Sequence, residues 1–183
     1  MADKKHAMYI TIAVIIVVIV IGGVIISSPA HTTRSNPPQP SIHLGYISLQ
    51  TLENITKTNL TEFKSSFNNI SSYGILKGEE VIYNSSSGGR IMIITEQFNS
   101  TQTAYNFYMH TVKTAFANIS KSYITITNST FNGFNFATGI ISFSGLYEGL
   151  SFGYRNSFYF LVYDWQIPAN LNELTQQQIL TMT

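Results

Sequence analysis

Residues 7 to 26 read AMYITIAVIIVVIVIGGVII, twenty consecutive positions without a charge, directly after Asp3, Lys4, Lys5 and His6. At about 1.5 Å per helical residue such a run reaches roughly 30 Å, the thickness of a bilayer's hydrocarbon core. Eight Ile and five Val stand between Ile10 and Ile26. Their insertion preference of roughly −0.3 to −0.6 kcal/mol each outweighs Tyr9, Thr11, Gly22 and Gly23. The run predicts a transmembrane helix, and it tethers everything after Ser27.

The flanks predict the orientation. Lys4 and Lys5 adjoin the N-terminal end of the span, whereas the first positive residue beyond it is Arg34, so the positive-inside bias puts the N-terminus in the cytoplasm and the body outside. A cleaved secretory signal is the rival, since Ser28-Pro29-Ala30 loosely resembles a small-residue cleavage site. A signal's apolar core is usually about 7 to 15 residues, however, and this run is longer and ends in a site with Pro29 inside it. A prepilin-type leader cut near Ala7 is a third possibility, from which Lys5-His6-Ala7-Met8 departs in pattern.

Seven of the fifteen Asn residues are glycosylation sequons: Asn54, Asn59, Asn69, Asn84, Asn99, Asn118 and Asn128. With 39 Ser plus Thr in 183 residues, random placement would give about three. Single sequons have structural explanations, such as a helix cap at Asn99 or a turn at Asn84. As a set they argue for a surface carrying N-linked glycans in a glycosylating compartment. All seven precede residue 129, which predicts that glycans crowd one part of the domain. The bare aromatic segment Phe134 to Trp165 would then be either a partner surface or, more simply, the core.

Composition narrows the setting. The chain has no Cys, so the outer domain holds together without disulfides. Charged residues are 10% of the chain, and eight Lys plus Arg balance eight Asp plus Glu beyond Ser27. A neutral, charge-poor domain favours no nucleic acid partner. In an acidic exterior it would also have few ion pairs to lose. An Ile/Val-rich anchor, dense sequons, no Cys and few charges together resemble the membrane-anchored N-glycosylated surface proteins of thermoacidophilic archaea. That resemblance lies in composition and layout, and implies an extracellular setting without implying any active-site residue.

The chain divides into a cytoplasmic stub (1–6), the span (7–26), a Pro-rich linker (27–42) and an extracytoplasmic domain (43–183). The linker holds four of the five prolines, which favour extended, polyproline-like backbone. The domain is of a size to form one core. Leu49, Leu52 and Ile55, then Leu60, Phe63, Phe67 and Ile70, recur at helical steps, with Asn59-x-x-Glu62 resembling a capping box. They predict one bent helix or two short ones. Glu79–Tyr83 and Arg90–Phe98 read as a hairpin about a Ser/Gly turn. A helix follows from N-cap Ser100 to about Ser120, lying across the sheet. Strands are predicted near 123–127, 134–144, 150–154 and 157–166, and a short helix over Leu171–Met182. The order predicts an α+β fold: an N-terminal transmembrane helix, then an antiparallel β-sheet domain with helices packed on one face. In Phe158 to Tyr163 both alternating faces are apolar, which predicts a central strand covered on both sides or with one side covered by a partner.

Catalytic chemistry is thin in the sequence. His6, His31, His43 and His110 are dispersed, Met109-His110 point about 100° apart on a helix, and without Cys no thiolate exists for a blue-copper centre. Glu79 and Glu80 face opposite sides of a strand. Glu148 and Asp164 could meet across strands in a suitable register. No phosphate loop or nucleophile elbow is present. No catalytic, cofactor-binding or metal-binding residue and no cofactor is therefore assigned, and the chain is read as not an enzyme. The favoured function is a noncatalytic, single-pass, membrane-anchored glycoprotein, either an accessory subunit of a membrane complex or a cell-surface interaction protein. Its partners are membrane lipid, one or more proteins, and its own glycans. A pilin-like filament subunit and a viral envelope protein share these features. An N-terminus at Ala7 or Met8 in the native protein would favour the filament.

Overall fold

A computed structural model describes residues 42–183 apart from 71–72, 118–123, 144 and 168. The predicted span, the cytoplasmic stub and nearly all of the linker lie outside the described residues. Among the described residues no helix is long and apolar enough to cross a membrane.

The elements run α1 (Leu49–Thr56), β1 (Leu60–Ile70), β2 (Ile75–Ser85), β3 (Arg90–Phe98), α2 (Thr101–Ala117), β4 (Ile124–Phe131), β5 (Phe134–Phe143), β6 (Leu146–Arg155), β7 (Phe158–Trp165) and α3 (Leu171–Met182). The seven strands form one sheet in the order β1-β2-β3-β7-β6-β5-β4, every neighbouring pair antiparallel. The α+β architecture and antiparallel sheet expected from the sequence are present. Strands β1 to β3 form one meander and β4 to β7 a second. Helix α2 carries the chain from β3, in the interior of the sheet, to the far edge strand β4, so that β7 closes against β3.

Two expectations are corrected. Leu60–Ile70 is a strand, not a helix. Lys57 adopts a left-handed conformation, φ 54°, and its N–H closes α1 on the Glu53 carbonyl at 2.8 Å. The Glu53 carboxylate then accepts from the Leu60 N–H at 2.9 Å, so the supposed capping box at Asn59 is the entry to a strand. The spacing looked helical because β1 is an edge strand that serves both faces, Leu60 packing on one and Phe67 on the other.

The helices also do not share one face. Helices α1 and α3 cover a first face, burying Leu52, Leu174, Ile179 and Met182 against Tyr83, Ile93, Phe160 and Val162. Helix α2 covers the second, setting Ala104, Tyr108 and Ala115 against Ile94, Phe152, Tyr159 and Leu161. The cause is the double apolar pattern of β7, in which Phe158, Phe160 and Val162 enter one core and Tyr159, Leu161 and Tyr163 the other. A strand apolar on both sides needs a cover on each.

The helix ends follow their sequence signals. Ser48, Ser100 and Asn170 cap α1, α2 and α3 by accepting from the N–H groups of Thr51 (3.3 Å), Thr103 (3.1 Å) and Asn172 (3.1 Å). The polar Gln run of α3 contains one fully buried member. The Gln178 amide donates to the Gly45 carbonyl at 2.7 Å and accepts from the Ile47 N–H at 3.3 Å, fastening the domain's first described segment to its last helix.

Candidate functional site

Sheet register decides which acids meet. Glu148 lies opposite Trp165, and Asp164 opposite Gly149. Directly opposed residues share a face. Glu148 therefore lies on the second face and Asp164 on the first, beside Ile91, and the acid pair expected from the sequence does not form. Both are buried. Burial pushes the Glu148 carboxyl up to about 7, with the Tyr163 hydroxyl holding it partly down. Burial also pushes Asp164 up to about 8, against a weaker pull from the N–H groups of Ile167 and Ala169, which make no well-formed hydrogen bond with it.

A third buried acid, Glu96, escaped the sequence reading. Its signal was the alternation Met92, Ile94, Glu96, Phe98, which puts a carboxylate on the apolar side of a strand. Two rows across the second face build its surroundings. Phe67, Gly78, Glu96 and Tyr159 are aligned in register across β1, β2, β3 and β7, and Ser65, Glu80, Ile94 and Leu161 form the next row. Glu80 and Glu96 are thus diagonal neighbours on adjacent strands, about 7 to 8 Å apart at the backbone. Glu148 lies three rows further on, about 20 Å along the strand direction at two residues per row.

Around these acids is a pocket of about 280 Å³. Phe107 of α2 forms its wall, edge-on to Tyr159 with ring centroids 5.0 Å apart. Gly78 leaves its own row empty, and the Phe67 ring fills that space so closely that a Cβ there would lie 2.3 Å from ring carbons. A register shift between Ile75 and Lys77 turns the start of β2, bringing Ile75 and Ile70 to the same face to close the end. Glu96 is 7% exposed and its Oε2 has no hydrogen-bond partner. Burial raises its carboxyl to about 8. Glu80, half-buried, accepts from the Ser65 hydroxyl at 3.2 Å. Glu79, as expected, faces the other side, lining shallow hollows with Tyr46 and Lys64.

Among the described residues no group of three His, Cys, Asp or Glu residues could hold a metal ion. His43 lies by α3, bonded through its N–H to the Met182 carbonyl at 3.1 Å, while His110 and Met109 stand exposed on α2. Of the sequons, Asn54, Asn59, Asn99 and Asn128 are exposed, and Asn84 is half-buried with its Oδ1 accepting from Arg90 Nε at 2.9 Å. Asn118 and the Asn69 side chain lie outside the described residues. These positions do not cluster: Asn59 and Asn84 belong to the β1–β2 end of the sheet and Asn128 to the opposite edge strand β4. The expectation of glycans crowding one side is corrected by the reversal of strand order at α2. The bare segment Phe134 to Trp165 is mostly the middle of the sheet and its core.

No protein-family model matches the chain, and no curated protein matches it. Among solved structures the fold is similar to the extracellular domain of PknH from Mycobacterium tuberculosis. The TM-score is 0.53 at 8% sequence identity, over 72% of this chain and 88% of that one.

Proposed function

We propose that the chain is a noncatalytic, single-pass, membrane-anchored extracytoplasmic glycoprotein that acts by binding, as an accessory subunit of a membrane complex or a cell-surface interaction protein. The observation that carries this reading is the pairing of the uncharged run 7–26 with sequon asparagines Asn54, Asn59, Asn99 and Asn128 standing exposed. The likeness in fold to an extracellular domain fits an outward body. The noncatalytic part is supported by the scattering of the buried acids over two faces and about 20 Å, and by a pocket whose described lining offers two carboxylates but no Lys or Arg to stabilise a developing anion. Protease added to intact cells is expected to remove the C-terminal body, and the native protein is expected to run above its 20.4 kDa polypeptide mass and return to it on deglycosylation. A protected body, or a mass unchanged by deglycosylation, overturns the reading.

A further inference from the structure

The pocket beneath α2 has a composition that selects its occupant. Its walls are rings and branched aliphatic side chains, while its polar groups are two carboxylates and the Tyr73 and Tyr159 hydroxyls, with no cationic side chain among the described lining residues. A buried carboxylate oxygen without a partner is costly, and native proteins tolerate one where something else satisfies it. Glu96 Oε2 is such an atom, more than nine-tenths buried and set in the pocket lining. A metal ion stripped of its water does not suit this lining, because hard cations take six or more oxygen ligands and the apolar walls add none to the two carboxylates and two tyrosine hydroxyls. A group with an apolar body, several N–H donors and a positive charge matches each element. The body meets Phe67, Ile75 and Phe107, the N–H donors reach Glu96 and Glu80, and the aromatic faces add a favourable cation–π contribution.

We propose that this pocket binds a small apolar primary amine, its ammonium group seated between Glu96 and Glu80 and its hydrocarbon body under Phe107. The site deepens the reading of the domain as a binding module and is independent of where the domain is anchored. Occupation by an ammonium group requires Glu96 to be ionised. The groups facing Glu96 are Glu80 from β2, Tyr159 from β7, Tyr73 before β2 and, behind Tyr159, Tyr108 from α2, while β1 supplies only Phe67 and Ile70. None is a cation that would ionise Glu96 in advance. Below about pH 8, where the empty pocket holds Glu96 protonated, binding therefore expels a proton. Affinity is expected to rise about tenfold per pH unit toward that value and then level off. Acidification below that value is expected to weaken occupancy progressively.

The test is calorimetric titration of the full chain in detergent with 2-phenylethylamine, 2-phenylethanol and 3-phenylpropionate. The amine is expected to bind at least about tenfold more tightly than the isosteric alcohol, the acid not to bind, and amine binding to release a proton below pH 8. Glu96→Gln keeps the shape and removes a buried acid, so the variant folds, and it is expected to lose at least about tenfold in amine affinity and to lose the pH dependence. Glu80→Gln is expected to weaken binding without abolishing the proton release. Equal affinity for amine and alcohol, undiminished binding by Glu96→Gln, or absence of amine binding at millimolar concentration overturns the proposal. Each of these outcomes leaves the protease and deglycosylation tests untouched.

Discussion

The two faces of the sheet are built from the same strands and finished differently. The first carries two helices, α1 and α3, tied to each other's neighbourhoods by Gln178 and by the Tyr83 hydroxyl donating to the Ile47 carbonyl. Among the described residues the second carries α2 alone, which lies on β6, β3 and β7 and leaves the β1–β2 wing uncovered. One helix is about 10 Å wide and a strand spacing about 4.8 Å, so a single helix cannot roof seven strands. The pocket sits where that roof ends. Coverage, more than residue chemistry, decides which face has room for a ligand.

The largest expected effect is a stability that runs backwards with pH. Glu96 and Glu148 on the second face and Asp164 on the first have folded values of about 8, 7 and 8, above the ordinary carboxylate values near 4. The folded state therefore holds these protons more tightly than the unfolded chain. Their contribution is fully present below about pH 4 and is lost as pH rises through 7 to 8. Thermal unfolding is expected to occur at a lower temperature at pH 8 than at pH 4, by the equivalent of several kcal/mol in sum. Asp164→Asn, Glu148→Gln and Glu96→Gln should each flatten the profile. A midpoint that climbs over this range would show that other titrations dominate.

Next in size is a core truncation that tells the faces apart. Phe160 is fully buried on the first face and packs against Phe134 with ring centroids 5.8 Å apart, so Phe160→Ala is expected to cost about 3 to 5 kcal/mol in denaturant unfolding. Phe107 is half-buried at the rim of the pocket, and Phe107→Ala is expected to cost less than half as much. Equal losses would mean that the second face is as tightly closed as the first. Below these comes Gln178→Ala, expected to cost about 1 to 3 kcal/mol because it leaves the Gly45 carbonyl and the Ile47 N–H without their partner in the interior.

Much of this contrast was legible in the sequence, and the missing parts share one cause. The hairpin at Gly88-Gly89, the cap at Ser100, the strand at Phe158 and the helix beginning at Leu171 all follow from local chemistry, and each stands where it was expected. The double-sided apolar pattern of Phe158 to Tyr163 announced a strand covered on both sides. The inference that helices must therefore occupy both faces was available from it. What could not be read locally was register. Whether Glu148 meets Asp164, or Glu80 meets Glu96, depends on which residue of one strand opposes which of the next, and a slip of one position exchanges the faces. β1 failed for a related reason: its apolar residues divide between two faces, and a mixture of two period-two patterns imitates a helical one.

The smallest expected effect bears on the uncovered wing itself. Phe63 stands on the second face of β1, opposite Ile82, and is 63% exposed. Exposure of that degree leaves little burial to lose, so Phe63→Ser in the isolated chain is expected to change stability by no more than about 0.5 kcal/mol. The same substitution measured in native membranes need not behave alike. If a partner rests on the wing, the ring becomes buried there, and Phe63→Ser should release the chain from its complex during gentle solubilisation while leaving its unfolding midpoint unchanged. An effect in neither setting would make the wing a bare edge beside a small-molecule pocket, its exposure guarded by the Glu80 carboxylate on the same face rather than by another protein. An effect on folding alone would instead place Phe63 inside a core that extends past α2, and would shrink the difference between the faces from which the pocket was argued.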